Sequence, residues 1–128
     1  MKKIIIFIVF FVSACGNSMP KFTPKRSELP EGYVGQNYSS EIEITNAILF
    51  KGNVGVIISP SGTGLKWRPK VTTLKVGGRE REEEDYHYII ISGRPKLTGN
   101  ILIHINGYSM GTAIPGNKID KIYTIKIN

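Results

Sequence analysis

Cysteine and histidine are scarce in this chain, whose 128 residues contain one cysteine and two histidines. A single cysteine excludes a disulfide within the chain and any zinc site built mainly from thiolates. His87 and His104 each alternate with apolar or aromatic neighbours, and no carboxylate or thiol stands in the sequence where it would complete a metal site. We therefore expect two solvent-facing strand histidines, no metal site and no cofactor.

A complete catalytic constellation is also lacking. The segment 107–111 fits the pattern G-x-S-x-G around Ser109. In hydrolases, this pattern joins a strand to a helix and is followed by an acid and then a histidine. Here Asp120 is the only later acid, and no histidine follows it. We interpret the match as accidental, expect no catalytic residue, and predict that the protein is not an enzyme.

Long helical periodicity is absent, and short alternating segments take its place. No stretch of ten or more residues keeps a helical apolar period without a glycine or proline. Alternating or β-branched segments separated by Gly/Pro turns are typical of an antiparallel sandwich. These segments predict about seven strands, at 38–44, 54–58, 65–68, 71–76, 86–91, 101–105 and 122–127.

The N-terminus has the organisation of an export signal. Two lysines precede nine consecutive apolar residues at 4–12, and small residues follow at Ser13 and Ala14. Nine helical residues cover about 14 Å, which is far short of the ~30 Å hydrocarbon core of a bilayer. The sequence therefore predicts a cleaved signal peptide over residues 1–14 rather than a transmembrane helix.

The end of this segment, 12–15 with the sequence Val-Ser-Ala-Cys, resembles the bacterial lipobox. The resemblance implies that Cys15 receives a diacylglyceryl group and becomes the first residue of a lipoprotein held in the membrane by acyl chains such as palmitate. Gly16 stands where an aspartate would resemble an inner-membrane retention signal, which implies the outer membrane if the source is Gram-negative. The alternative is an ordinary secretory peptide cleaved after Ala14, which leaves an incidental cysteine.

The distribution of charge follows from this processing. Loss of Lys2 and Lys3 lowers the net charge from +7 to +5, and export argues against nucleic acid as a partner. Residues 15–28 contain two prolines and no apolar period, which predicts a flexible linker. The run 79–85 carries a net charge of −3, lacks the ligand spacing of a calcium loop, and predicts a solvated loop or hairpin tip.

Two stretches resemble the immunoglobulin-like (cadherin-like or dystroglycan-type) domains of bacterial surface proteins. The first is 29–39, with a leucine-proline followed by a glycine turn and Tyr38, and the second is the serine-glycine-x-proline turn at 92–95. The resemblance covers residues 29–128, although the family's proline-rich middle segment is reduced here to 64–67. It implies an immunoglobulin-like antiparallel sandwich with a binding or spacer role, and it carries no catalytic residues.

A glycine-rich loop at 106–118 joins the last two predicted strands, which is the position of an antigen-binding loop in a variable domain. Its apolar or amphipathic residues Tyr108, Met110 and Ile114 are our candidate binding residues, unless they pack over the end of the sandwich. Trp67 and Arg68 are a secondary candidate for stacking on a sugar or capping a phosphate, although strand tryptophans usually lie in the core.

We therefore expect a non-enzymatic lipoprotein of the cell envelope, attached to the membrane by its lipid. Its domain would bind a protein or glycan partner, or serve a structural role in a complex. The alternative is an inhibitor or immunity lipoprotein that blocks an exogenous hydrolase or toxin.

Overall fold

The computed structural model describes residues 19–110 and 116–128, and in these ranges the chain is all-β. It forms seven strands: β1 (Lys21–Thr23), β2 (Tyr38–Thr45), β3 (Val54–Ser59), β4 (Leu65–Val76), β5 (Arg79–Gly93), β6 (Gly99–Tyr108) and β7 (Lys118–Ile127). None of the described residues belongs to a helix that is long and apolar enough to cross a membrane.

The strands form two sheets with the connectivity of an immunoglobulin domain. The first sheet has the order β1-β2-β5-β4 and the second β3-β6-β7, and every pairing between these strands is antiparallel. Constant-type immunoglobulin domains likewise place their first, second, fifth and fourth strands in one sheet and the other three in the second. The predicted immunoglobulin-like sandwich of about seven strands is confirmed, although the strands predicted at 65–68 and 71–76 are parts of the single strand β4, and β1 was not predicted.

The core lies between the sheets and consists mainly of isoleucine. Alternate residues of each inner strand point inward, so that on β2 the side chains of Ile42 and Ile44 are fully buried. β-branched isoleucine suits a pleated, buried surface, and its burial is the main favourable contribution to folding. The fully buried isoleucines are Ile42, Ile44, Ile89, Ile91, Ile103, Ile105, Ile119 and Ile125.

The segment before β2 belongs to the domain, contrary to part of the linker prediction. β1 pairs with the end of β2, where Phe22 lies opposite Ile44 and packs against the core. The prediction of a flexible linker over 15–28 is therefore wrong for its second half. β1 has only three residues, too few to show a period, and its hydrogen-bond partners lie about 20 positions away along the chain.

After β1 the chain crosses to the second sheet, where Glu28 and Gly32 form parallel bridges with β7. The buried Tyr123 of β7 donates its hydroxyl hydrogen bond to the carbonyl of Pro24 at 2.6 Å. Burial of this hydroxyl raises the pKa of Tyr123 to about 12. The N-terminal segment therefore ties both sheets together.

The outer halves of β4 and β5 form a two-stranded arm, defined here as residues 70–85. A two-residue turn joins them, and Gly77 and Gly78 both have positive φ, as a tight hairpin of this kind requires. The run 79–85, predicted as a loop or hairpin tip, is the first part of β5. That prediction is wrong for most of the run because charged residues cover both faces and hide the strand period.

The arm leaves the sandwich at an irregularity in the β4–β5 pairing. Pro69 lies opposite Ile89, whereas the next residue, Lys70, lies opposite Asp85. Three residues of β5 therefore bulge out without partners on β4. Beyond this bulge, the side chains of 71–84 are almost all exposed.

Candidate binding end of the sandwich

One end of the sandwich gathers two loops and the base of the arm. The 46–53 loop leaves β2 at this end, and β3 then starts with Val54 opposite Gly107, close to the end of β6. The loop after Tyr108 leads back into β7 at Lys118, also at this end. We call the described residues 46–53 and 108–110, together with the arm base, the loop end.

Hydrogen bonds connect the two loops directly. The amide of Met110 donates to the carbonyl of Ile48 at 2.9 Å, and the amide of Tyr108 donates to the carbonyl of Asn53 at 3.1 Å. The Asn53 side chain also bonds within its own loop, donating to the Ile48 carbonyl and accepting from the amide of Phe50 at 2.7 Å. The loops therefore hold one another in a defined conformation.

Gly107 allows this close approach. Its φ is +145°, which side-chain-bearing residues rarely adopt, and an added Cβ would collide with the backbone carbonyl of Asn53. A glycine is therefore required at the position where β6 passes the 46–53 loop.

Four large apolar or amphipathic side chains are exposed at the loop end. The exposed fractions are 51% for Ile48, 58% for Phe50, 60% for Tyr108 and 56% for Met110. We call these four residues the apolar cluster. Grouped exposure of this kind is typical of an interaction surface, whereas single exposed apolar residues are ordinary.

The sequence identified only half of the apolar cluster. Tyr108 and Met110 were predicted, and the third candidate, Ile114, lies outside the described residues. Ile48 and Phe50 were missed, although they flank the buried Leu49 in an alternating triplet just before the Lys51-Gly52 turn. That triplet was the available signal, but only the fold brings it beside Tyr108 and Met110.

The arm runs past the 46–53 loop and borders a shallow, open groove of about 320 Å³ with it. Residues 49–51 line one side and 81–84 the other, so that Glu82, Glu83 and Glu84 share the groove with two cations, Lys51 and Arg81. The hydroxyl of Tyr86 donates to Glu84 at 2.8 Å, and burial together with this carboxylate raises the pKa of Tyr86. The loop end thus combines an apolar surface with a charged groove in which Arg81 pairs with Glu83 at 3.6 Å and acidic residues are in excess.

His87 fastens the arm to the 46–53 loop. Its Nε2 donates to the carbonyl of Ala47 at 2.8 Å, and its Nδ1 lies 2.8 Å from Oδ1 of Asp85. On the outer face, Lys70 pairs with Glu41 at 3.3 Å. The side chain of His87 is 39% exposed, so it faces solvent in part, and its contacts with Asp85 and Ala47 were not predicted from the sequence.

His104 also contacts a carboxylate, but on the outer face of the second sheet. Its Nε2 lies 2.7 Å from Oδ1 of Asp120, and this hydrogen bond lowers the pKa of Asp120. His104 and His87 belong to different sheets and do not meet. Within residues 19–110 and 116–128, no group of three or more His, Cys, Asp or Glu side chains is placed to hold a metal.

Ser109 of the G-x-S-x-G pattern is buried and bonded to backbone. Its hydroxyl donates to the carbonyl of Asn117 at 3.3 Å and accepts from the amide of the same residue at 3.2 Å. The two histidines make their hydrogen bonds elsewhere, with Asp85, Ala47 and Asp120. The hydrogen bonds between Ser109 and Asn117 join the two ends of the loop between β6 and β7.

The secondary candidates do not share a surface. Trp67 is partly buried and packs against the core on the face of β4 that also carries the buried Leu65. Arg68 is exposed and points to the other face of the strand. Trp67 is therefore a packing residue, which is the alternative that the sequence analysis gave for it.

Comparisons with known proteins add little to this description. No protein-family profile and no curated protein matches the chain. One solved structure that resembles it is the crystal structure of a mutant SrpA adhesin from Streptococcus sanguinis. The TM-score is 0.48 with 14% sequence identity, and the match covers 86% of this chain but 57% of the adhesin chain. The immunoglobulin-like assignment rests on the strand order.

Proposed function

We propose that the protein is a non-enzymatic lipoprotein of the cell envelope, anchored through acylated Cys15, whose immunoglobulin-like domain binds a protein or glycan partner. The binding surface is the loop end. The main observation behind this proposal is the apolar cluster, whose side chains are exposed where two loops hydrogen-bond to each other. The lipid anchor rests on the sequence of residues 1–15, which precede the described part of the chain.

The defined conformation of the two loops supports a role of the apolar cluster in binding. Binding immobilises loops and side chains at a free-energy cost, so a surface that is already ordered binds more tightly than a flexible one of equal area. The Ile48–Met110 and Asn53–Tyr108 hydrogen bonds provide such order before any partner arrives. Tyr108 and Phe50 add large contact areas of the kind that dominates binding energy.

The surroundings of the polar side chains support a role without catalysis. The hydroxyl of Ser109 bonds to the backbone of Asn117, whereas the rings of His87 and His104 bond to Asp85, Ala47 and Asp120 and not to this serine. The loop end supplies contact area and charge, which are the means of recognition.

Recovery of the partner from chemically crosslinked envelopes tests the proposal. The test variant carries Tyr108→Ser and Met110→Ser. The matched control carries Tyr33→Ser and Leu97→Ser, two residues of the opposite end with exposed fractions of 52% and 55%. We expect the test variant to lose the partner and the control to retain it, since hot spots cost about 2 kcal/mol or more on truncation. Equal recovery would remove the loop end as the binding surface.

The identity of the captured partner separates the two functional classes. A resident envelope protein or glycan supports the binding role. A secreted lytic enzyme or toxin whose activity falls on binding would favour the inhibitor or immunity alternative. The anchor has its own test: Cys15→Ser should move the protein out of the membrane fraction, and an unchanged fraction would refute acylation.

A further inference from the structure

The described chain enters the domain at the loop end. Lys21, the first residue of β1, lies opposite Thr45, the last residue of β2. The 46–53 loop starts directly after Thr45. The N-terminal end of β1 and the loop end are therefore at the same end of the sandwich.

The connection from this end to the proposed anchor is short. Five residues, 16–20, separate Cys15 from Lys21, and a fully extended chain of that length spans about 20 Å. If Cys15 is acylated, Lys21 is held within about that distance of the bilayer, and the loop end is the end of the sandwich nearest the anchor.

The arm extends outward from the loop end, and its length is similar to that of the extended tether 16–20. Its seven residue pairs run from Lys70 and Asp85 out to Val76 and Arg79, and at the rise of a β-strand they cover about 20 Å. The arm is therefore long enough to reach the membrane surface whose lipid holds the chain.

The chemistry of the arm changes along its length. At its tip, Leu74 and Val76 are exposed, and their cross-strand partners are Arg81 and Arg79. Arg81 also forms an exposed ion pair with Glu83 at 3.6 Å. With Lys75 and Glu80, the tip at 74–81 carries a net charge of +2. The acidic residues Glu82, Glu83, Glu84 and Asp85 all lie nearer the sandwich.

We propose that the tip of the arm contacts the bilayer to which Cys15 is attached. Leu74 and Val76 enter the interfacial region, and Lys75, Arg79 and Arg81 contact anionic headgroups. The acidic stretch is repelled by the same headgroups, so the contact is confined to the tip. The arm then acts as a spacer that keeps the groove and the apolar cluster open above the membrane. This inference rests on the proposed lipid anchor.

Chemical attachment separates this inference from the acylation itself. The chain from Cys15 onward keeps every residue of the described sandwich, and Cys15 is its only thiol. It can therefore be coupled to a maleimide-headgroup lipid in vesicles of phosphatidylcholine and phosphatidylglycerol, whether or not cells acylate it. Failure of acylation in cells and failure of the tip contact then appear in different experiments.

Quenching by brominated lipids measures the contact. Val76→Trp places an indole at the tip, and Leu97→Trp places one at the opposite end, where the native side chain is similarly exposed (64% and 55%). Trp67 gives the same background in both proteins. Insertion by about 5–10 Å into the interface brings the tip indole to the bromine atoms, so we expect several-fold stronger quenching at position 76. Equal quenching at the two positions would overturn the proposal.

The charge of the tip provides a second readout on the same vesicles. Arg79→Glu with Arg81→Glu should abolish the excess quenching of Val76→Trp, because each lost cation weakens attachment to an anionic surface by about fivefold. Lys96→Glu with Lys126→Glu changes the net charge equally at the opposite end and should leave the quenching unchanged. Identical results for the two charge variants would contradict a specific contact by the tip.

Discussion

Replacing Gly107 by alanine tests the close approach on which the loop end depends. Gly107 has a φ of +145°, and a Cβ there would collide with the carbonyl of Asn53. The collision forces β6 and the 46–53 loop apart, so the hydrogen bond from the Tyr108 amide to Asn53 is lost as well. We expect Gly107→Ala to destabilise the domain and to disorder the loop end.

The magnitude combines two contributions. Backbone strain at a φ reserved for glycine costs about 1–3 kcal/mol, and the lost backbone hydrogen bond about 1 kcal/mol. Together they lower the free energy of unfolding by about 2–4 kcal/mol. Gly52→Ala, at a φ of +96° with no atom near the added Cβ, carries the strain alone and should cost about 1–2 kcal/mol.

Urea unfolding of the chain with Cys15→Ser measures both effects. Gly55→Ala completes the set, because its φ is ordinary and its Cβ would make only a normal contact with the Asn106 side chain. It should leave the midpoint nearly unchanged. Gly107→Ala should shift the midpoint most without changing the slope. A midpoint equal to that of Gly52→Ala would refute the claimed collision with Asn53.

Three further predictions concern the N-terminal segment and the ionisable groups. Phe22→Ser should lower the free energy of unfolding by about 1–2 kcal/mol because it removes a partly buried ring from the core, whereas no change would indicate a linker. Tyr123 has a raised pKa of about 12 against an ordinary 10.0. Its contribution to the free energy of unfolding is therefore complete below pH 10 and is lost as the pH rises toward 12. Tyr123→Phe should lack this alkaline loss in urea titrations, and a parallel decline would contradict it. Asp120 has a lowered pKa, so its contribution to the free energy of unfolding is present above pH 3.8 and is lost as the pH falls through the pKa of the folded state. Asp120→Asn should reduce this loss of stability at acid pH, and an unchanged loss would exclude the His104 bond as its source.

The sequence predicted the parts of the fold that have a local period. The alternation around Ile42 marks one buried face of β2, and the β-branched segment 54–58 marks most of β3. These features depend on neighbours along the chain, and the structure places them as expected.

The sequence did not predict the features that depend on residues far away along the chain. β1 is defined by its pairing with β2, and its three residues show no period. The charged half of β5 has no apolar face, because its partner strand extends with it into solvent. His87 lies in the bulge of β5 and contacts Ala47, which is 40 residues earlier, so no local pattern predicts this contact.

The candidate site shows the same division. Tyr108 and Met110 were recognised because they stand in a glycine-rich loop between strands. Ile48 and Phe50 sit about 60 residues earlier, and only backbone hydrogen bonds between the loops bring them to the same end. The anchor at Cys15 stays a prediction from the sequence.

Photo-crosslinking in intact cells tests most directly whether the loop end binds the partner. A photoreactive residue at position 108 should form a specific crosslink to an envelope component, and one at position 33, at the opposite end, should not. The two native tyrosines are similarly exposed, so accessibility does not distinguish them. A crosslink from position 33 with none from position 108 would contradict the assignment of the loop end as the binding surface.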